Sequence, residues 1–120
     1  MLSSPHEDKA VSVTTRQERG ALVLAVSGDL DVDSVPPLGL ALTAAAAEGA
    51  GPVVVDLSGV GFADSTTVNV LLQSHTALGD RLRLAAPSPF MQRLIGMIGL
   101  DSALPVLPSV DEAIDAVLPS

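Results

Sequence analysis

The chain has 120 residues, which is the size of one globular domain. Its 14 acidic residues outnumber its 6 basic ones, so the formal net charge is −8 and the isoelectric point lies near 4.3. Such a surface repels nucleic acid and anionic lipid, and a basic or neutral protein surface is the favoured partner. Cysteine, tryptophan and tyrosine are absent, which excludes disulfides and thiolate metal sites and argues against stacking platforms for bases or sugars.

The N-terminus gives no indication of export. Residues 1–10 are polar and lack the apolar segment of a signal peptide, and no stretch of the chain is long and apolar enough to span a bilayer. We therefore predict a flexible tail over residues 1–10 and one domain over residues 11–118. The expected protein is cytoplasmic, without direct membrane insertion and without a nucleic acid partner.

The first half of the chain predicts a hairpin followed by a helix. Residues 11–15 alternate like an edge strand, residues 17–20 are typical of a turn, and residues 21–27 have apolar side chains on both faces. Residues 35–48 then show helical spacing of leucine and alanine, with two prolines in the first turn, where proline is tolerated.

A valine-rich strand and a second helix follow. Residues 53–57 are typical of a strand buried on both faces of a parallel sheet. We interpret Gly59 and Gly61 as residues that loosen the following turn. Asp64 is placed to cap a helix that ends near Gly79.

The last third of the chain continues this alternation. It predicts a strand at residues 81–85, a helix from Ser88 to Gly99, a brief strand at residues 106–107 and a helix from Ser109 to Leu118. Three scattered arginines are interpreted as solvated, namely Arg81, Arg83 and Arg93. The pattern indicates an α/β fold with a mixed β-sheet of four to five strands and about four helices, which cover at least one face.

The residues after Asp64 are the candidate functional site. Ser65, Thr66 and Thr67 place three hydroxyls at one helix start. A structural cap explains Asp64, but a first turn does not need two β-branched threonines, so a functional hydroxyl site and a plain cap both remain open. Loops at the carboxyl ends of parallel strands are favoured sites. The loop at residues 28–34 meets this one if their strands are neighbours.

The sequence does not predict a metal-binding site. Asp29, Asp31 and Asp33 alternate as in the opening of a calcium loop, but Ser34 stands where that loop needs glycine and Leu40 where it needs a bidentate glutamate. We therefore expect no metal site and interpret these aspartates as a solvated turn and helix cap.

Enzymatic chemistry is not expected either. Gly59 and Gly61 fit a dinucleotide fingerprint only in part, because Asp64 occupies the third glycine position and would repel a pyrophosphate. The histidines, His6 in the tail and His75 far along the helix, are too distant to activate a hydroxyl at its start. We predict neither a catalytic residue nor a cofactor.

The chain resembles the STAS domain family in three segments that agree in order and spacing: SGDLDVDSVPPL, VVVDLSGVGFADSTTVNVLL and IGLDSALPVLPSVDEAIDAV. The resemblance covers residues 11–117. The chain is similar in particular to the single-domain anti-sigma-factor antagonists of bacteria. It implies one STAS-like domain. It also implies a regulatory protein whose unphosphorylated form binds a kinase-type anti-sigma factor and so frees a sigma factor.

The resemblance implies a modification site at the start of the second helix. The partner kinase phosphorylates a Ser or Thr just after an Asp-Ser pair, which by position is Thr66, with Ser65 as the alternative, and a phosphatase restores the binding form. The implied partner-binding residues are Asp31, Asp64, Ser65, Thr66, Thr67 and Asn69. This chain departs from the family pattern at Thr67, where glycine is usual, and at Asn69, where a small residue or arginine is common.

A phosphate at Thr66 is expected to disrupt binding more than folding. It adds about −1.5 to −2 charge beside Asp31 and Asp64, yet a helix N-terminus tolerates an anion. In the alternative interpretation the chain is a non-switching STAS subunit that docks in a lipid-transport ATPase complex or a signalling scaffold, where the same surface is a permanent dock.

Overall fold

The structure is a computed structural model, and it describes residues 11–116. The predicted tail at residues 1–10 lies outside the described residues, as do residues 117 and 118 at the end of the predicted domain and of its last helix.

Five strands form one mixed sheet whose spatial order follows the chain. The strands are β1 (Ser12–Glu18), β2 (Ala21–Leu30), β3 (Val53–Ala63), β4 (Leu82–Ala85) and β5 (Val106–Leu107). The pair β1–β2 is an antiparallel hairpin, and every later pair is parallel. The helices are α1 (Pro36–Ala47), α2 (Ser65–Leu78), α3 (Pro89–Ile98) and α4 (Val110–Asp115). The predicted α/β fold is therefore confirmed, with its opening hairpin and mixed sheet.

Helices cover both faces of the sheet. The main core lies between one face and α1, α2 and α3, and its buried side chains include Leu24, Leu57, Leu38, Leu71 and Met91. A smaller cluster on the other face joins α4 to the sheet through Val23, Val54, Ala85, Ala113 and Ile114. Because β2 and β3 are covered on both sides, their sequences are continuous apolar runs.

The two glycines after the valine run belong to a strand, so the interpretation of a loosened turn is wrong. β3 continues through Gly59 and Gly61 to Ala63. A Cβ atom at Gly59 would lie 2.7 Å from the Cβ of Ser27, and one at Gly61 would lie 3.1 Å from Oδ1 of Asp29. The pairing register with β2 shifts twice along this stretch. Glycine therefore permits the close approach of two irregularly paired strands.

Other boundaries differ less from prediction. β1 runs to Glu18, which limits the hairpin turn to residues 19 and 20. Gly79 ends α2, and Gly99 ends α3 in the left-handed region at φ 70°, both as predicted. α4 is shorter than predicted, because Ala116 is already extended at its C-terminus.

Two arginines predicted to be solvated bind helix ends instead. Arg83 is only 9% exposed, and its Nη1 donates hydrogen bonds to the carbonyls of Ala113 at 2.7 Å and Ile114 at 3.3 Å. The half-buried Arg81 donates to carbonyls at and just after the end of α1, those of Ala45, Glu48 and Gly51. Both cations thus satisfy carbonyls at the negative ends of helices. Arg93 is exposed, as predicted.

Candidate functional site

Two loops meet at the carboxyl edge of the sheet because β2 and β3 are parallel neighbours. Leu30 pairs in register with Ala63, and the N–H of Asp64 donates a hydrogen bond to the carbonyl of Leu30 at 3.3 Å. Asp31 and Asp64, the residues that directly follow each strand, therefore start from adjacent main-chain positions. The predicted meeting of the two loops is confirmed. We call residues 31–34 and 64–66 together the rim.

Asp31 organises the first loop of the rim. Its Oδ1 accepts hydrogen bonds from the N–H of Asp33 at 2.9 Å, from the N–H of Ser34 at 3.0 Å and from Oγ of Ser34 at 3.0 Å. These bonds, that of the Ser34 hydroxyl foremost, hold the pKa of Asp31 below its ordinary value of 3.8. The rim therefore carries a fixed negative charge at neutral pH.

Asp64 caps α2, as predicted. Its backbone is extended, at φ −110° and ψ −173°, and its Oδ1 accepts hydrogen bonds from the N–H of Thr66 at 3.0 Å and of Thr67 at 3.3 Å. The carboxylate thus satisfies two of the free donors at the helix start. It also places negative charge at the positive end of the helix, where it is stabilised.

The three hydroxyl residues after Asp64 differ in exposure. Ser65 is exposed and Thr66 is half-buried, whereas Thr67 is completely buried. Thr67 lies on the same face of α2 as the buried Leu71, four residues along. Its side chain offers no surface in this structure, and the direct partner contact of Thr67 stays a prediction.

The buried hydroxyl of Thr67 is unusual. Its Oγ1 has no hydrogen-bond partner within the described part of the chain. An unpaired buried hydroxyl costs about 1–3 kcal/mol. The first turn of α2 therefore combines a well-made cap with a local energetic defect.

The other predicted contact residues lie around one helix start. Asn69 is exposed one turn after Ser65, on the same side of α2. With exposed Ser65 and the half-buried residues Asp31, Asp64 and Thr66, it makes up the candidate surface.

An apolar groove of about 400 Å³ lies between α2 and α3 and ends at the rim. Its polar end is formed by Asp64 and Ser65, and its walls include Val68, Leu72, Leu94 and Ile98. The sequence did not predict this α2–α3 groove, because the apolar residues of both helices have the ordinary spacing of a stripe that faces a core.

Two further structural observations bear on the site. Among residues 11–116, no three histidine, aspartate or glutamate side chains come together as metal ligands. No helix in this range has the length and apolar character needed to cross a bilayer.

Comparison with known proteins identifies relatives of the whole chain. A family model described as Mlab, STAS domain, matches residues 13–108. The chain is 24% identical over 110 residues to the anti-sigma-F factor antagonist RsfB of Mycobacterium tuberculosis. The aligned residues cover 90% of each chain.

Solved structures agree with this assignment. The crystal structure of an anti-sigma factor antagonist from Mycobacterium paratuberculosis matches with a TM-score of 0.82 and 31% identity, over 97% of this chain and 98% of that chain. The anti-sigma factor antagonist SpoIIAA in its unphosphorylated form matches in fold, with a TM-score of 0.70 and 23% identity over 87% and 94% of the two chains. The chain therefore belongs to the STAS domain family, and these relatives are anti-sigma-factor antagonists.

Proposed function

We propose that this chain is an anti-sigma-factor antagonist whose rim binds a kinase-type anti-sigma factor and so frees the sigma factor. The observation that carries the proposal is the start of α2, where exposed Ser65 and half-buried Thr66 follow Asp64. The main chain of Asp64 is hydrogen-bonded to the end of the strand that leads into Asp31. The chain's relatives carry the name of anti-sigma-factor antagonists. In this role the chain is a substrate of its partner, is not an enzyme and needs no cofactor.

Thr66 is the proposed phosphoacceptor, with Ser65 as the alternative. A kinase that modifies Thr66 must bring the terminal phosphate of its nucleotide to the Thr66 hydroxyl. After transfer, a phosphate of about −1.5 to −2 charge faces the remaining nucleotide phosphates as well as Asp31 and Asp64. Like-charge repulsion and desolvation then separate the two proteins. A phosphatase that removes the phosphate restores the binding form.

The fold tolerates this modification. The N-terminus of α2 presents backbone N–H groups and the positive end of the helix dipole, which favour an added anion. Thr67, which replaces the usual glycine, is buried and places no side chain between Thr66 and a partner. These features support a switch that acts on binding and leaves the folded state intact.

The proposal is tested by affinity capture from the native cytoplasm with wild type and Thr66→Glu, followed by mass spectrometry of captured proteins and phosphosites. The matched control is Thr76→Glu, because Thr76 is an exposed threonine ten residues further along the same helix. We expect wild type and the control to retain a kinase-type anti-sigma factor. Thr66→Glu should bind it at least about tenfold more weakly.

The opposite result identifies the alternative function. If wild type and Thr66→Glu retain the same transporter ATPase or scaffold proteins, the proposed phosphorylation switch is wrong. The rim is then a surface that stays bound to its partner. Phosphate found on Ser65 and not on Thr66 would identify Ser65 as the phosphoacceptor. Circular dichroism of each variant establishes that a loss of binding is not a loss of fold.

A further inference from the structure

The α2–α3 groove is not lined by Thr66, yet it opens onto the rim at Asp64 and Ser65. The groove and the phosphoacceptor therefore face different sides of the same helix start. A partner can contact both at once, and the two contacts can be altered separately.

The groove leaves apolar side chains in contact with solvent. Leu72 of α2 is 37% exposed and Ile98 of α3 is 48% exposed. Apolar surface that is rimmed by polar residues is typical of interaction sites. The volume of about 400 Å³ is within the range of sites that hold a ligand or an inserted side chain.

Charge defines the end of the groove that meets the rim. Asp64 lies there, Asp31 follows the neighbouring strand, and the whole chain carries a net charge of −8. A partner segment that approaches this end is complementary if it carries a lysine or arginine. Apolar side chains of the same segment match the walls further along.

We propose that the α2–α3 groove is a docking subsite for an amphipathic segment of the anti-sigma factor. Its apolar side chains contact Leu72 and Ile98, and a basic side chain lies beside Asp64, as in other helix-in-groove contacts. This inference rests on the proposed function and adds to it a second contact that sets affinity. Thr66 then determines whether phosphate is transferred, while the groove determines how tightly the partner is held.

The test uses the anti-sigma factor identified by the capture experiment, purified and supplied with ATP. Kd and the kinetics of phosphorylation are measured for wild type, Ile98→Gln and Met97→Gln. Met97 is the matched control because it is 82% exposed on the same helix and does not line the groove. Ile98→Gln should raise Kd and KM at least about tenfold, with kcat within about twofold of wild type. Met97→Gln should leave all three within about twofold of wild type, and Ile98→Leu should restore wild-type Kd.

A second measurement does not depend on the stability of Ile98 variants. Leu72 is replaced by a photoreactive benzoylphenylalanine, with Met97 replaced in the same way as the control. The expected crosslink from position 72 is to an apolar segment of the anti-sigma factor that contains a basic residue.

Three outcomes would overturn the inference, and they differ from one another. If wild type binds, Thr66→Glu abolishes binding and Ile98→Gln behaves like Met97→Gln, the groove is not a docking subsite although the proposed function stands. If sedimentation shows a dimer that Ile98→Gln dissociates, a second copy of this chain occupies the groove. If wild type binds no kinase-type anti-sigma factor, the proposed function fails and the docking subsite fails with it.

Discussion

The helices α2 and α3 begin at the same edge of the sheet with similar residue types, but their first turns serve different purposes. At α3 the capping residue is Ser88, which is only 9% exposed. Its Oγ accepts a hydrogen bond from the N–H of Met91 at 3.2 Å and donates one to the carbonyl of Val60 in β3. The fold thus uses this hydroxyl both as a donor and as an acceptor.

At α2 the cap is a carboxylate, so the serine and threonine hydroxyls are not needed to cap the helix. Asp64 accepts the bonds from the first turn, while Ser65 is exposed and Thr66 is half-buried. Thr67 is buried without a partner. Residue type therefore does not separate a hydroxyl that the fold uses from one that it leaves free. The two kinds of hydroxyl are distinguished by which group caps the helix and by how much of each side chain is exposed.

The largest expected difference between the two helix starts is in the effect of removing a serine hydroxyl. Ser88→Ala removes the cap of α3 and leaves the carbonyl of Val60 without its donor, so we expect unfolding free energy to fall by about 2 kcal/mol. Ser65→Ala should change it by less than about 0.5 kcal/mol. Urea unfolding measures both, and equal losses would remove the distinction drawn between α2 and α3.

Removal of the carboxylate cap should have the next largest effect. Asp64→Ala leaves the N–H groups of Thr66 and Thr67 without their acceptor, and we expect a loss of about 1.5 kcal/mol in unfolding free energy. Asp64→Asn is the control, because its side-chain oxygen still caps the helix while the charge is lost. A loss as large in Asn as in Ala would mean that charge, and not capping, stabilises this turn.

Substitution of the buried threonine should stabilise the protein. Thr67→Val keeps the branched shape and removes a hydroxyl that has no partner among the described residues, so we expect a gain of about 1 kcal/mol. Thermal and urea unfolding measure the change. Thr76→Val on the exposed face of α2 is the control and should be close to neutral. Destabilisation by Thr67→Val would show that this hydroxyl is bonded in solution.

The smallest effect concerns the pH response of the rim. The lowered pKa of Asp31 means that its contribution to stability is fully present above the usual aspartate range and is lost only as pH falls through the lower folded-state pKa. NMR titration of the Asp31 carboxyl should therefore give a pKa below 3.8. Ser34→Ala should raise it, since the Ser34 hydroxyl is the main cause of the shift. An unshifted pKa in wild type would contradict the observed hydrogen bonds.

Sequence patterns predicted the framework of the molecule and much of the rim. Parallel strands were expected from the valine-rich runs, and helix ends from Asp64, Ser88 and Gly99, because caps act through local hydrogen bonds that neighbouring residues define. The meeting of Asp31 and Asp64 followed from strand adjacency. These features depend on short-range geometry and on the regular order of βα units.

Features that depend on distant contacts were not predictable in the same way. Gly59 belongs to a strand because it pairs with Ser27 of β2, which leaves no room for a side chain. Arg83 is buried because α4 ends against it some 30 residues later. The burial of Thr67 and the exposure of Ile98 likewise depend on how α2 and α3 are rotated on the sheet. A local pattern gives the residues of a helix face but not its exact orientation in the fold.

The hydrogen bond from the N–H of Asp64 to the carbonyl of Leu30 joins one loop of the rim to the end of the strand that leads into the other, through main-chain atoms alone. Every residue type except proline supplies the same donor, so side chains at 31–34 and 64–66 can change while this junction persists. The side chains that a partner contacts are thereby independent of the main-chain bond that positions them. A change of binding specificity at this edge therefore requires only exchanged surface side chains and no change of the backbone.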